Sequence, residues 1–416
     1  MVDLRPFRAL RYRSSDLTRR SAPPYDVIDP LDRSVLQAAD PHNVVRLLLP
    51  EGDDPYETAA ALLRAWIDEG ILVLDHHPRL YGYRMDHPQP DGGPRAVTGV
   101  LGALTLPERL GHDGLFPHER TLPKARSDRL RLLRATRTNL DPIWCLADEP
   151  AASTLAALLA DPEPPTLAEA SDPEGVRHTL WAVDDTDVIA AVSRSVTASR
   201  LVVADGHHRL ETAIAWRDEL RAAGADVPGA SSVLAFVTPL DPAHLRVEPI
   251  HRLLSGTPPH LDWPEALSGL FVVAEAGPAA PAAARSLAAS LTDGTVGVVT
   301  RDRLLRCTVR PGPASLTRAV LPPALAEVGS ALFDELLRPL LGPGVTVEFR
   351  PDAAAVAAAV AAGDAEVGVL LPPVSIAQIR GAAEAGARMP EKTSYFCPKP
   401  RSGFVLRPVD DDDRCR

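Results

Sequence analysis

At 416 residues the chain is longer than a single hydrophobic core usually grows, so two or three subdomains are expected. A formal net charge of -11 argues against a general nucleic-acid binder, which needs a basic face to neutralise phosphates, and leaves room only for a local basic cleft. Cys145, Cys307, Cys397 and Cys415 lack any CxxC spacing, which disfavours a structural zinc or a disulfide framework, and no apolar run is long enough for a signal segment or a membrane span. The chain reads as soluble and cytoplasmic.

In chain order, "APPYDVIDP" (22–30) is an extended or turning segment, because a residue before proline is pushed out of the helical region. "HNVVRLLLP" reads as a strand. Residues 54–70 read as a helix, with an Asp-Pro start, Ala60, Leu63 and Ile67 on one face, and a closing glycine. "RLYGYRM" and "AVTGVLGALTL" are expected to pair as antiparallel strands. Residues 127–139 form a helix capped by Ser127, with Leu130 and Leu133 inward and most of Arg129, Arg131, Arg134 and Arg137 solvated.

The proline-rich interval 160–175 reads as a surface connection. Helix 187–197, strand 200–204, helix 207–222 and strand 231–238 follow. From about 266 the alternation resumes: a strand in "LFVVAEA", an Ala-rich helix to 291, strands "GTVGVVT" and "LLRCTVR", and a long helix around "ALFDELLRPLL". Strand "VTVEFR", helix 352–362, strand "EVGVLLP" and helix 374–386 complete it. The fold class is therefore mixed α/β, divided into parts over 1–145, 146–265 and 266–408, with a disordered acidic tail over 409–416.

Three segments carry unusual residue choices. The chain holds 44 Lys+Arg but only three lysines, Lys124, Lys392 and Lys399, and only two asparagines, Asn43 and Asn139; all three lysines fall in motif-like stretches. "LVVADGHHRLETA" crowds His207, His208 and Arg209 into the first turn of a helix, whose N-terminus is already partly positive. A strand–turn–helix of this kind is an anion site that the three basic residues would reinforce, and phosphate is its commonest ligand. Asp205 is placed to cap the helix through the N–H of His207 or His208. Without an HxxxH or HExxH pattern, metal ligation by the histidine pair is disfavoured.

"GLFPHERTLPKARSDRLRLLRATRTNLDP" sets His118, Glu119, Arg120, Lys124 and Arg126 on a proline-punctuated loop, where Glu119 is a candidate general base or else a surface ion pair. "RMPEKTSYFCPKPRSGF" is too rich in proline for a helix. Its Lys392, Thr393, Ser394, Lys399 and Ser402 suit phosphate or ribose, while Tyr395 and Phe396 anchor the loop.

Through "APPYDVI", "NVVRLLL", "FPHERTLP", "DRLRLLRATRTNLDPI", "ADGHHRLETA" and "MPEKTSYFCPKPRSGFV", landmarks spread from about residue 5 to 408, the chain resembles the DUF1015 family. The "DGHHR" turn is also similar to the signature of the ParB/sulfiredoxin-like superfamily, in particular its free-serine kinases, where a "PHE" segment precedes it. That likeness implies a ParB/sulfiredoxin-like core carrying additional α/β subdomains. It also implies transfer of a phosphoryl group from ADP or ATP, with Mg²⁺, to a small hydroxylated acceptor such as serine. The implied catalytic base is Glu119, and His118 and Asp205, which match the same motifs, are further catalytic candidates. The implied phosphate ligands are His207, His208 and Arg209; Gly206, Lys124, Arg126, Lys392, Thr393, Ser394 and Lys399 are further phosphate-binding candidates by residue type and place. The spacing of 85 residues between Glu119 and Asp205 departs from the compact kinases. A phosphoserine hydrolase and a non-enzymatic nucleotide sensor are the alternatives. The expected partners are a nucleotide and a small molecule.

Overall fold

The computed structural model describes residues 2–88, 94–121, 123–159, 165–257, 262–310, 321–342 and 344–410. The chain divides into two compact units that interleave along the sequence: one comprises Met1–Pro117, Thr121–Leu245 and Pro398–Arg416, the other His118–Arg120 and Arg246–Cys397. The cut expected at 145 falls inside a strand, Ile143–Ala147, and that at 265 inside a short helix, Trp263–Leu267. Apolar periodicity says where elements lie but not which of them share a core.

The first unit is built on a mixed sheet. Its order is Leu115–Pro117, Leu201–Asp205, Ile143–Ala147, Ser232–Pro239, Pro94–Thr105, Leu80–Pro88, Arg177–Val183, Thr166–Ser171, with Leu4–Arg5 added against Pro94–Thr105. Leu201–Asp205 runs parallel to Leu115–Pro117 and antiparallel to Ile143–Ala147. The run "LVVA" is apolar throughout because both faces of this strand are covered: Leu201 and Val203 enter a core with Ile143, Val196 and Leu210, while Val202 and Ala204 are buried on the other side. The expected pairing of the two glycine-rich strands is present, with Tyr83 opposite Gly99.

The second unit has its own antiparallel sheet, in the order Phe271–Pro278, Arg303–Val309, Thr295–Val299, Val367–Leu370, His251–Ser255, Thr346–Arg350. The Ala-rich helices Pro281–Ser290 and Ala353–Ala362 lay Ala284, Leu287, Val356 and Val360 over it. A separate ribbon pairs Arg246–Pro249 with Ser394–Cys397.

Mixed α/β architecture is as expected, and several local readings are corrected. "HNVVRLLLP" holds a short helix, Val45–Leu48, not a strand; a run this short, with three apolar residues and Arg46, has no period to distinguish the two. In the helix Pro55–Asp68 the inward residues are Ala59, Ala60, Leu63 and Trp66, while Ile67 is 43% exposed. The arginine-rich helix starts at Pro123, a full turn before Ser127, so Ser127 is no cap. Arg129 on that helix is buried, donating to Leu48 O at 2.8 Å, whereas Arg131 and Arg134 are exposed.

Within the interval 160–175, Thr166–Ser171 is a strand paired with Arg177–Val183. "ALFDELLRPLL" is not one long helix but an α turn, a π turn over Phe333–Leu337 and a 3-10 turn over Arg338–Leu341, since Pro339 has no N–H to continue the ladder. Beyond position 410 the acidic tail lies outside the described residues.

His251 gives the second unit an expected acid sensitivity. It is 2% exposed, and its Nδ1 accepts the Leu371 N–H at 3.1 Å, which requires the neutral ring. Burial, helped by neighbouring Arg252 and opposed by Asp352, lowers its pKa from 6.5 to about 4. The unfolded chain therefore takes up this proton below about 6.5 while the folded chain resists until about 4. The stabilisation is complete above the upper value and is lost as pH falls through the lower, a difference of about 3 kcal/mol. Urea midpoints measured across that range should fall in the parent more steeply than in His251→Gln, and equal slopes would move the acid sensitivity elsewhere.

Candidate functional site

In the first unit the strand Leu201–Asp205 passes through Gly206 into the helix His207–Ala222. Gly206 has φ +89°, the left-handed region, and a Cβ there would lie 3.1 Å from Ile143 Cα and 3.0 Å from Arg209 Nε. Only glycine makes this turn without strain. Gly206 itself is the N-cap, and no side chain caps the helix, so the expected Asp205 cap is not formed. Asp205 instead pairs through Oδ2 with Arg209 and through Oδ1 with Lys399. Two cations on one carboxylate outcompete a neutral N–H.

Arg209 is held on its other side by the Pro142 carbonyl, while its Nε has no hydrogen-bond partner among the described residues. Burial works against its charge, but Asp205, Asp141 and Asp26 outweigh burial and raise its pKa. Asp141 accepts from Ser402 Oγ, and burial raises its pKa against the pull of Arg209. Beside these residues lies a cavity of about 50 Å³ lined by Arg129, Asn139, Asp141, Arg209 and Thr212. Arg129 also covers the Tyr25 ring, 4.2 Å from its centroid. His207 is buried and His208 half-buried.

The second unit holds the other cluster. Glu119 Oε1 accepts from both the Ser394 N–H at 2.7 Å and the Ser394 hydroxyl at 2.6 Å. His118 Nε2 lies 2.8 Å from the same hydroxyl and 3.5 Å from Glu119 Oε1, and its ring sits edge-on to Phe396. Met389 fixes the segment from the backbone, donating to His118 O at 2.7 Å and accepting from Arg120 N–H at 3.0 Å. Glu119 is thus a buried, hydrogen-bonded carboxylate and not a surface ion pair; its side chain is 11% exposed.

Arg252, fully buried against Phe349 at 4.7 Å, donates to the carbonyls of Ile250, Lys392 and Glu391. Burial lowers its pKa to about 10.

The residues picked from sequence therefore fall into separate settings. Asp205, Gly206, Arg209 and Lys399 meet in the first unit; His118, Glu119 and Ser394 meet in the second. Thr393 donates to Pro390 O at 2.8 Å and shares a 2.6 Å bond with Ser330, which makes it a loop staple. Lys392 has φ +53°. Lys124 and Arg126 fall in the helix Pro123–Thr136, with side chains outside the described residues. Among the described residues no group of three or more His, Cys, Asp or Glu could hold a metal ion, and no helix is long and apolar enough to cross a membrane.

A family model described as "Protein of unknown function (DUF1015)" matches residues 4–321. The chain belongs to the DUF1015 family. No match was found among curated proteins. Among solved structures, this DUF1015 chain is similar to a free serine kinase variant in complex with AMP, at 11% identity and TM-score 0.40 over 76% of this chain and 93% of that one. It is also similar to a conserved hypothetical protein from Pyrococcus furiosus, at 10% identity and TM-score 0.35 over 72% and 94% of the two chains. A C-terminally truncated SbnI from Staphylococcus aureus matches at 12% identity and TM-score 0.39 over 75% and 90%.

Several DUF1015 residues in these clusters escaped the sequence reading. Asp141, Tyr25, Asp26 and Arg129 surround Arg209, and Arg252 clamps the loop before Ser394. Tyr25, Asp26, Arg129 and Asp141 lie within stretches that carried the family resemblance, but nothing local to them signals that they meet. Gly206→Ala is expected to lower stability by about 1–2 kcal/mol, from the left-handed backbone and the contact with Ile143. Chemical denaturation measures this; a loss under about 0.3 kcal/mol would mean that the turn relaxes freely.

Proposed function

We propose that this chain is a nucleotide-dependent phosphotransferase acting on a small hydroxylated metabolite, with free serine as the leading acceptor. The observation that carries the reading is the turn at Gly206: a buried strand opens through a left-handed glycine into a helix of 16 residues with no side-chain cap, and two cations, Arg209 and Lys399, are held beside it. A helix start of this kind attracts phosphate through backbone N–H groups and dipole. Both Asp205 oxygens are already taken by cations, so this carboxylate does not supply a Mg²⁺ ligand, and an ion arriving with the nucleotide would be held by the nucleotide's own phosphates. Glu119, matched to the "PHE" element of the free-serine kinases, is the proposed base that takes the acceptor's proton. Positioning and charge neutralisation supply most of the rate in such transfers.

The test is a thermal-shift panel of ADP, ATP and phosphoserine, followed by ³¹P NMR of the chain with nucleotide and serine. A native-state ligand raises the melting point by mass action. Stabilisation by nucleotide together with phosphoserine formation is expected. Phosphate release from phosphoserine with no nucleotide present would replace this reading with a hydrolase, and tight nucleotide binding without consumption would replace it with a sensor.

A further inference from the structure

We propose that Ser394 is itself a phosphoryl acceptor, making the chain a substrate of its own transfer chemistry. The inference rests on the reading above for its donor, a nucleoside di- or triphosphate. Its own evidence lies in the second unit. The Ser394 hydroxyl has one proton and two partners, Glu119 Oε1 at 2.6 Å and His118 Nε2 at 2.8 Å. With Glu119 ionised, the hydroxyl donates to the carboxylate, and His118 must carry its proton on Nε2 and donate to Oγ. A serine in this position has a base already on its proton, which is what a nucleophilic hydroxyl requires.

The seryl unit is also fixed in place. Its N–H donates to the same Glu119 oxygen at 2.7 Å. Thr393, directly before it, is stapled to Ser330 and Pro390, and Arg252 holds the carbonyls of Glu391 and Lys392. Directly after it, the strand Ser394–Cys397 is paired with Arg246–Pro249. Burial separates the three side chains in the sense an acceptor needs: His118 is 0% exposed and Glu119 11%, while Ser394 is only half-buried.

In the transfer step the Oγ proton passes to Glu119 Oε1 while Oγ forms a bond to the terminal phosphorus of the nucleotide. The bond from that phosphorus to its bridging oxygen breaks, and the nucleoside mono- or diphosphate leaves with the electron pair. Glu119 then returns the proton to water.

The full chain is incubated with Mg²⁺ and either ADP or ATP labelled in the terminal phosphate, with free serine in the same tube, then acid-quenched and mapped by peptide mass spectrometry. The expected result is acid-stable label at position 394, lowered about 100-fold or more in Glu119→Gln, absent in Ser394→Ala and retained in Ser394→Thr. Label mapped to any other residue, or acid-labile label on a histidine, overturns the inference. Phosphorylation of free serine with none on the protein overturns it and leaves the proposed function standing. No transfer to either acceptor overturns both. Mapping in the parent chain decides even if a variant fails to fold.

Discussion

Replacing Lys399 with methionine is expected to destabilise the first unit by about 3 kcal/mol, because it removes one of two cations from a carboxylate with little access to water. Asp205 is 11% exposed in its side chain and Lys399 8%, and each Asp205 oxygen has its own cation. Methionine keeps most of the lysine's length and apolar stem, so packing changes little and the loss is chiefly electrostatic. Arg209 cannot swing across to compensate, since its other terminal nitrogen is engaged by Pro142 O. Asp205→Asn removes the charge that Lys399 answers, so the double variant should recover much of the loss of Lys399→Met alone. Urea unfolding of the four species gives the coupling energy directly. A coupling below about 0.5 kcal/mol would reduce the contact to a surface-like pair.

Glu119→Gln carries the largest expected effect on activity. The exchange preserves shape and leaves an Oε1 able to accept both bonds from Ser394, so the local structure should hold. What disappears is the capacity to take a proton. General bases contribute about 10²- to 10⁴-fold, so turnover should fall by about that factor while nucleotide affinity stays within a few-fold. Steady-state kinetics and isothermal titration on the same preparation measure the two quantities. A Gln variant that keeps parental turnover removes Glu119 from the chemistry, whatever its motif resembles.

Long elements were the most legible. Pro55–Asp68 and His207–Ala222 lie where period and flanking residues put them, because a buried stripe repeats over several turns. The short run over Val45–Leu48 and the strand Thr166–Ser171 were misread, one lacking a period and the other standing beside prolines that suggest a connection. The site was legible as residue types but not as contacts. Ser394 stands 275 positions from Glu119 and Lys399 194 from Asp205, and no local pattern records such a pairing. The rarity of lysine and asparagine proved a better guide. Lys399 answers a buried carboxylate, while Asn139 accepts from Leu234 N–H and Arg407, and Asn43 donates to Arg19 and Ser21 carbonyls and accepts from Val45 N–H.

The first unit is closed by its last stretch, Pro398 onward. That stretch brings Lys399 to Asp205, Ser402 to Asp141, and a fully buried Arg407 to Asn139 and the carbonyls of Ser232 and Gly229. On the ribosome these groups emerge only after the intervening 152 residues, Arg246–Cys397, have been made. At typical rates of about 5–20 residues per second, the nascent glycine turn waits many seconds for its cation. Assembly of the ion cluster at the glycine turn is thereby tied to synthesis of the stretch from Pro398, and a product terminated before it would lack the cluster even though every residue of "DGHHR" is present.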